Sequence, residues 1–197
     1  MANKKIILAS GSSARQMMLA NAGVDFQVNP ADIDERQIQK QIEEQSASDI
    51  ALCLAQEKAK AVSTQHPHSI VIGSDQVLVK DDVIYNKALD KDEAFERLTA
   101  FQDQIHSLIS SVAVAIDGDV VWDHTDQADL TMKKMNDGAI RAYIESADDV
   151  VTQCVGCYAL ESIGIRLFKD IKGNYFTILG MPLLPLLNYL EEGGHLS

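Results

Sequence analysis

Two spacings of apolar residues alternate along this chain and divide it into strands and helices. Runs of β-branched and aliphatic residues at 5–9, Phe26–Val28, 69–73 and 76–79 predict strands. Period-3.6 spacing predicts a helix that starts at Ser12 or Ser13 and ends at Ala22, with Met17, Met18, Leu19 and Ala22 on one face. The same spacing predicts helices at 48–62, 90–101, 138–145 and Leu183–Glu192, and a more polar one at 36–45. Asp81-Asp82 reads as a turn, and Asp117-Gly118 as the turn of a hairpin between strands 106–116 and 120–132. Segments 150–160 and 164–170 read as strands, and Leu179-Gly180-Met181-Pro182 as a breaker. Strands interleaved with helices, with a hairpin in the middle, predict an α/β fold on a mixed sheet.

Composition narrows the class. The chain has 197 residues, 46% of them hydrophobic, which suits one domain or two small lobes on a shared core. No repeat, low-complexity stretch or linker divides it, so a single domain over 1–197 is expected. No apolar run approaches the ~18 residues of a membrane span. The basic start Met1-Ala-Asn-Lys-Lys resembles that of a signal peptide, but the apolar run after it breaks at Gly11-Ser12-Ser13. A cytoplasmic protein is expected. Seventeen Lys and Arg against 29 Asp and Glu give a net charge of −12, which argues against nucleic acid as a partner. A small phosphorylated ligand would need a local cluster of cations or a metal ion.

Three cysteines, Cys53, Cys154 and Cys157, do not suggest a disulfide framework. Cys154-Val155-Gly156-Cys157 has redox or zinc spacing, yet no second ligand pair is visible and Tyr158-Ala-Leu-Glu161 looks like a strand. Coincidence is the simpler reading.

Asp75 is the prominent candidate for chemistry. It follows the run Ile70-Val-Ile-Gly-Ser and would stand at a strand's carboxyl end, where α/β folds bind ligands. Its alternative role is a turn carboxylate. The loop Ala9-Ser10-Gly11-Ser12-Ser13-Ala14-Arg15 leads from a strand into a helix start and would suit an anion, although it matches no phosphate-loop motif. Lys58 and Lys87 are candidate phosphate partners, and a solvated Lys58 near its helix end is equally readable. Asp34, Glu35, Asp75 and Glu161 are candidate acids. Singly, each reads more simply as a solvated or capping carboxylate.

These segments together resemble the Maf (septum-formation) family of nucleoside triphosphate pyrophosphatases. The resemblance lies in Leu8-Ala-Ser10-Gly-Ser12 with Arg15, Asp32-Ile-Asp-Glu35, Leu54-Ala-Gln-Glu-Lys58-Ala, Ile72-Gly-Ser-Asp75, Lys87 and Gly180-Met-Pro182-Leu. It implies a mixed twisted sheet flanked by helices, two lobes and a central cleft, like the inosine-triphosphate pyrophosphatases. It implies cleavage of a nucleoside triphosphate between its α- and β-phosphates with a divalent metal, Mg²⁺ or Mn²⁺. Asp75 would accept the proton from water, Ser10, Arg15, Lys58 and Lys87 would surround the phosphates, and Glu35 with Asp75 would hold the metal. Gln76 and Glu161 match the branch that acts on 7-methyl-GTP, where a buried Glu161 could pair with the cationic purine. Ala14 departs from that branch, whose first loop reads Ser-Pro-Trp-Arg; Tyr158 or Trp122 could supply the missing aromatic face. Asn86-Lys87-Ala88 replaces Gly-Lys-Pro, which implies a less rigid lysine loop. The expected role is nucleotide-pool sanitation. Alternatives are the same reaction on a pyrimidine or another modified base, or a non-catalytic nucleotide-binding regulator of division. A homodimer is a prior for an enzyme of this size.

Overall fold

The computed structural model describes residues 4–196. Residues 1–3 of the basic start, and the last residue of the expected domain 1–197, lie outside it. The strands hydrogen-bond in the order β2-β1-β3-β5-β6-β7, with β4 on β3, and helices accompany this mixed sheet, as the α/β expectation requires. The chain forms two compact units: one ends its first segment at Gln76 and adds Ile109–Asp126 and the residues from Tyr175 on, and the other comprises Val77–Leu108 and Gln127–Asn174.

In the first unit, β1 (Ile6–Leu8) lies between β2 (Phe26–Val28) and β3 (Ile70–Lys80), parallel to both; Ile6 faces Phe26 on one side and Ile70 on the other. All three residues of β1 are buried, as a continuous apolar run in a parallel sheet requires. Helix α1 (Ser13–Asn21) is capped by Ser12, whose side chain accepts from Arg15 N. Helix α2 (Glu35–Gln41) is shorter than the expected 36–45, because Glu43 and Glu44 would place acids at the negative end of the helix dipole. Helix α3 (Ala47–Ser63) is capped by Ser46.

The expected break between 69–73 and 76–79 is absent. β3 is one strand of 11 residues, and Gly73 is a packing site within it. A Cβ there would lie 2.2 Å from the Ala55 carbonyl oxygen and 2.6 Å from the Ala59 nitrogen. Ala55, Lys58, Ala59 and Val62 share one face of α3, and Ala55 and Ala59 cluster with Ala113 and Ala115. Small residues on both sides bring this helix close to the sheet. The first unit also holds the short α7 (Tyr175–Ile178), not expected from the sequence, and α8 (Leu183–Glu192), placed as expected.

In the second unit, β4 (Val83–Tyr85) pairs antiparallel with the end of β3 through a turn at Asp81 and Asp82, both with positive φ. Asp90 caps α4 (Lys91–Phe101) by accepting from Asp92 N and Glu93 N. The long strands β5 (Ile105–Ile116) and β6 (Asp119–Met132) each give residues to both units; the expected Asp117-Gly118 turn that joins them, where φ is 53° and 89°, belongs to the first. Helix α5 (Asp137–Ala147) follows.

Residues 150–160 are not a strand. They form α6 (Val150–Gln153) and then a tight turn in which Cys157 N donates to Cys154 O at 3.0 Å. Tertiary contacts override the β-branched run: the Tyr158 ring folds over Gly156, leaving no room for a Cβ there, and the Tyr158 hydroxyl lies 2.6 Å from Nε2 of the buried His106. Strand β7 (Phe168–Lys172) begins later than the expected 164, after a 3₁₀ turn at Ile163–Leu167, and pairs antiparallel with β6. Among the described residues, no helix is long and apolar enough to cross a membrane.

Candidate active site

Asp75 is buried in the middle of β3, not at a strand tip. Strand alternation puts Gly73 and Asp75 on one face, toward α3, and Ser74 and Gln76 on the other. With α3 drawn close by Gly73, Lys58 reaches Asp75: Nζ donates to Oδ1 at 2.6 Å. The same ammonium lies 3.0 Å from Glu35 Oε1. Lys58 is thus buried and doubly paired, where a solvated side chain was equally readable from the sequence. Asp34 does not join this cluster; it caps α2 by accepting from Gln37 N at 3.0 Å.

Arg15 is the second buried cation here. Nε donates to Gly180 O at 2.9 Å and Nη1 to Ser10 Oγ at 3.0 Å. Ser10 Oγ also accepts from Ser12 N at 3.3 Å, which fixes the loop ahead of α1. Ala14 stands half-buried on the first turn of α1. Burial pushes the Asp75 carboxyl above its ordinary range, and the positive charges of Lys58 and Arg15 offset part of that rise. Burial also lowers the Arg15 pKa against the pull of Asp75 and Glu35; a guanidinium stays charged regardless.

Glu35 and Asp75 touch one ammonium through one oxygen each, so a single small cation could touch both. Two carboxylates are a hard oxygen donor set of the kind that holds Mg²⁺ or Mn²⁺ alongside substrate phosphates. These residues therefore fit the implied metal.

Gln76 is tied down on the opposite face of β3. Its Nε2 lies 3.0 Å from Ser110 Oγ, Thr177 O and Ile178 O. Its N–H groups are consumed, which fixes the orientation of the amide.

In the second unit, Lys87 and Glu161 are exposed, which corrects the expectation of a buried Glu161: it follows the turn after Tyr158 and is not part of a strand. Both lie within electrostatic reach of the Cys154 thiol. The segment Asn86-Lys87-Ala88 is held despite lacking the proline. Arg97 Nη1 donates to Asn86 O and, at 2.8 Å, to Val155 O, while Glu93 accepts from Leu89 N at 2.8 Å. Arg97 and Glu93 pair with each other at 2.8 Å. The three cysteines are free thiols. Burial pushes the Cys157 thiol up to about 11 and raises Cys154 as well, so neither is an activated nucleophile. Among the described residues, no group of three or more His, Cys, Asp or Glu is placed to hold a metal ion, zinc included; Glu35 and Asp75 are a pair, and substrate phosphates would have to complete their set.

The sequence of a Maf-like protein family matches residues 5–193. The chain is 50% identical over 187 residues to a nucleoside triphosphate pyrophosphatase of Bradyrhizobium diazoefficiens, covering 95% of this chain and 93% of that protein. It is 44% identical over 194 residues to a protein of the same name from Nitrobacter hamburgensis, covering 98% and 96%. It is 41% identical over 192 residues to a 7-methyl-GTP pyrophosphatase of Rhizobium etli, covering 96% of each. The chain belongs to the Maf family.

Several residues of this Maf site were not singled out in the sequence. Ser74, fully buried, shares its hydroxyl between Ser111 O at 2.8 Å and Gly180 O at 2.9 Å. Gly180 has φ of 103°, and its carbonyl receives both Ser74 and Arg15. Ser110 and Thr177 anchor Gln76; Ser110 donates to Thr177 O at 2.7 Å, and Thr177 to Asp126 at 2.6 Å. The available signal was Ser110-Ser111, a polar pair between the apolar runs Leu108-Ile109 and 112–116 of β5. Neither proposed aromatic substitute is free. Trp122 stacks on Tyr189 with centroids 4.9 Å apart, and Tyr158 packs edge-on against Phe168 at 4.7 Å.

Proposed function

We propose that this Maf protein hydrolyses a nucleoside triphosphate between its α- and β-phosphates, releasing a nucleoside monophosphate and pyrophosphate, and that its substrate is 7-methyl-GTP. The observation that carries the reading is the buried Lys58–Asp75 pair, with Glu35 on the same ammonium and Arg15 in the same unit. A purely structural core has little use for such a group, since burying charge is costly without a compensating role. A binder without turnover would have no need of Asp75.

In this reading Asp75 accepts the proton of the water that attacks the α-phosphorus. The bond from that phosphorus to the bridging oxygen breaks, and pyrophosphate leaves. Phosphoryl-type displacement is mostly positioning and charge neutralisation. Ser10 and Arg15 offer a hydroxyl and a fixed guanidinium to the phosphates, and Lys58 and Lys87 add two ammonium groups. Glu35 and Asp75 would hold Mg²⁺ or Mn²⁺, which supplies charge neutralisation on the phosphate oxygens.

The base assignment rests on Gln76 and Glu161 and is supported by the name of the Rhizobium etli relative. Gln76 Oε1 can accept from guanine N–H groups, and a carboxylate such as Glu161 can pair with a cationic N7-methylated purine. Another base is the second reading, favoured by Ala14 and by the commitment of Trp122 and Tyr158 to internal contacts. The test is pyrophosphate release with Mg²⁺ or Mn²⁺ across the common NTPs and dNTPs, 7-methyl-GTP and 5-methyl-UTP. Preference for 7-methyl-GTP, weakened by Glu161→Gln, is the expected result. Unchanged selectivity in that variant would discard the role given to Glu161, and no release from any nucleotide would discard the reaction.

A further inference from the structure

We propose, resting on the function just given, that Lys58 is a displaceable counter-ion: its ammonium holds the Glu35–Asp75 carboxylates until a divalent cation takes them, and is then released toward the substrate phosphates. Nζ bridges Asp75 Oδ1 at 2.6 Å and Glu35 Oε1 at 3.0 Å. Glu35 and Asp75 are also the residues that would hold a metal ion. A hard divalent ion binds carboxylate oxygen at roughly 2.1 Å. It would stand a few ångströms from an ammonium still seated on the same carboxylates, and like charges at that range repel, the more so beside the buried Asp75.

The two buried cations of this site, Arg15 and Lys58, differ in how they are held. Arg15 is pinned through Nε and Nη1 to Gly180 O and Ser10 Oγ. Lys58 has its backbone anchored on α3 beside the buried Ala55 and Ala59, but its ammonium ends a flexible four-carbon stem. Lys58 can therefore move its charge without moving its helix. The Glu35 side chain is 48% exposed, which leaves one side of the pair open to an arriving ion.

Exchange has a mechanistic consequence. The site keeps its acids neutralised at rest, and the arriving metal converts a structural ammonium into a phosphate ligand. Lys58 would then be presented to the phosphates only when the metal is in place.

The first test is Mn²⁺ binding to the nucleotide-free protein, read from the electron paramagnetic resonance signal of free Mn²⁺. Lys58→Met, which keeps length and loses charge, is expected to bind Mn²⁺ roughly tenfold or more tightly than wild type. Lys58→Arg is expected to show no such gain. Equal or weaker binding by Lys58→Met, including no binding by either protein, overturns the proposal. The second test uses the wild-type protein. Mg²⁺ alone should raise acylation of the Lys58 amine relative to Lys60, which pairs near the surface with Glu57 at 2.9 Å. Unchanged or reduced labelling overturns it. Neither readout depends on turnover. A protein that releases pyrophosphate while binding Mn²⁺ independently of Lys58 keeps its function and loses this inference. One that exchanges Lys58 for Mn²⁺ and hydrolyses no nucleotide does the reverse.

Discussion

Gly73 on β3 lies directly beneath Ala55 on α3, so close that a Cβ would meet the Ala55 carbonyl oxygen at 2.2 Å. The obstacle is helix backbone, which cannot swing aside as a side chain would. Gly73→Ala should therefore destabilise the protein by roughly 2–4 kcal/mol. It should also lift Lys58 from Asp75. Urea unfolding reads the first effect; a larger loss of pyrophosphate release than of stability, measured well below the unfolding midpoint, reads the second.

Asp75→Asn keeps the shape of the side chain and removes the proton acceptor. Turnover should fall roughly 10²–10⁴-fold, while the circular dichroism spectrum stays that of the wild type. Retention of more than a tenth of wild-type kcat would remove Asp75 from the role of base.

Ser74→Ala deletes one hydroxyl shared by the Ser111 and Gly180 carbonyls. The cost should be about 1–3 kcal/mol, since a fully buried acceptor is left short of a donor. Gly180 O also seats Arg15. KM for the nucleotide should therefore rise more than kcat falls, and steady-state kinetics separates the two.

His106 makes the second unit sensitive to acid. Burial lowers its pKa from 6.5 to about 4, so the folded protein binds its proton less readily than the unfolded chain does. The stability linked to neutral His106 is present above pH 6.5 and is lost as pH falls through about 4, by up to about 3 kcal/mol. His106→Gln, which retains a partner for Tyr158, should flatten this limb in urea midpoints collected across that range.

Much of the fold was readable because local and tertiary signals agree. The Asp117-Gly118 turn, the Asp90 cap of α4 and the helix Leu183–Glu192 carry their own start and stop chemistry. Disagreement arose where side chains far apart in sequence decide the backbone. Gly73 looks like punctuation and is a contact surface, so one strand read as two. Val150–Leu160 has β-branched composition, yet Tyr158 pairs with His106, 52 positions away, and the segment turns. The site showed the same division. The residues in short motifs, Ser10, Arg15, Lys58 and Asp75, were visible. The carbonyl of Gly180 was not, because a backbone oxygen leaves no mark on the sequence, and Ser74, though inside the motif around Asp75, takes its role from carbonyls 37 and 106 positions away.

The clamp around Lys87 carries a consequence of another kind. Where a proline would stiffen this loop through a covalent ring, here Arg97 and Glu93 hold the backbone on either side of the lysine with charged hydrogen bonds. A ring constrains the chain by itself, whereas this clamp depends on two side chains of α4. Arg97 is buried, so salt screens it little, and the placement of Lys87 answers instead to substitution of Arg97 or Glu93. A loop built this way can be retuned by a single charge change on the helix that holds it.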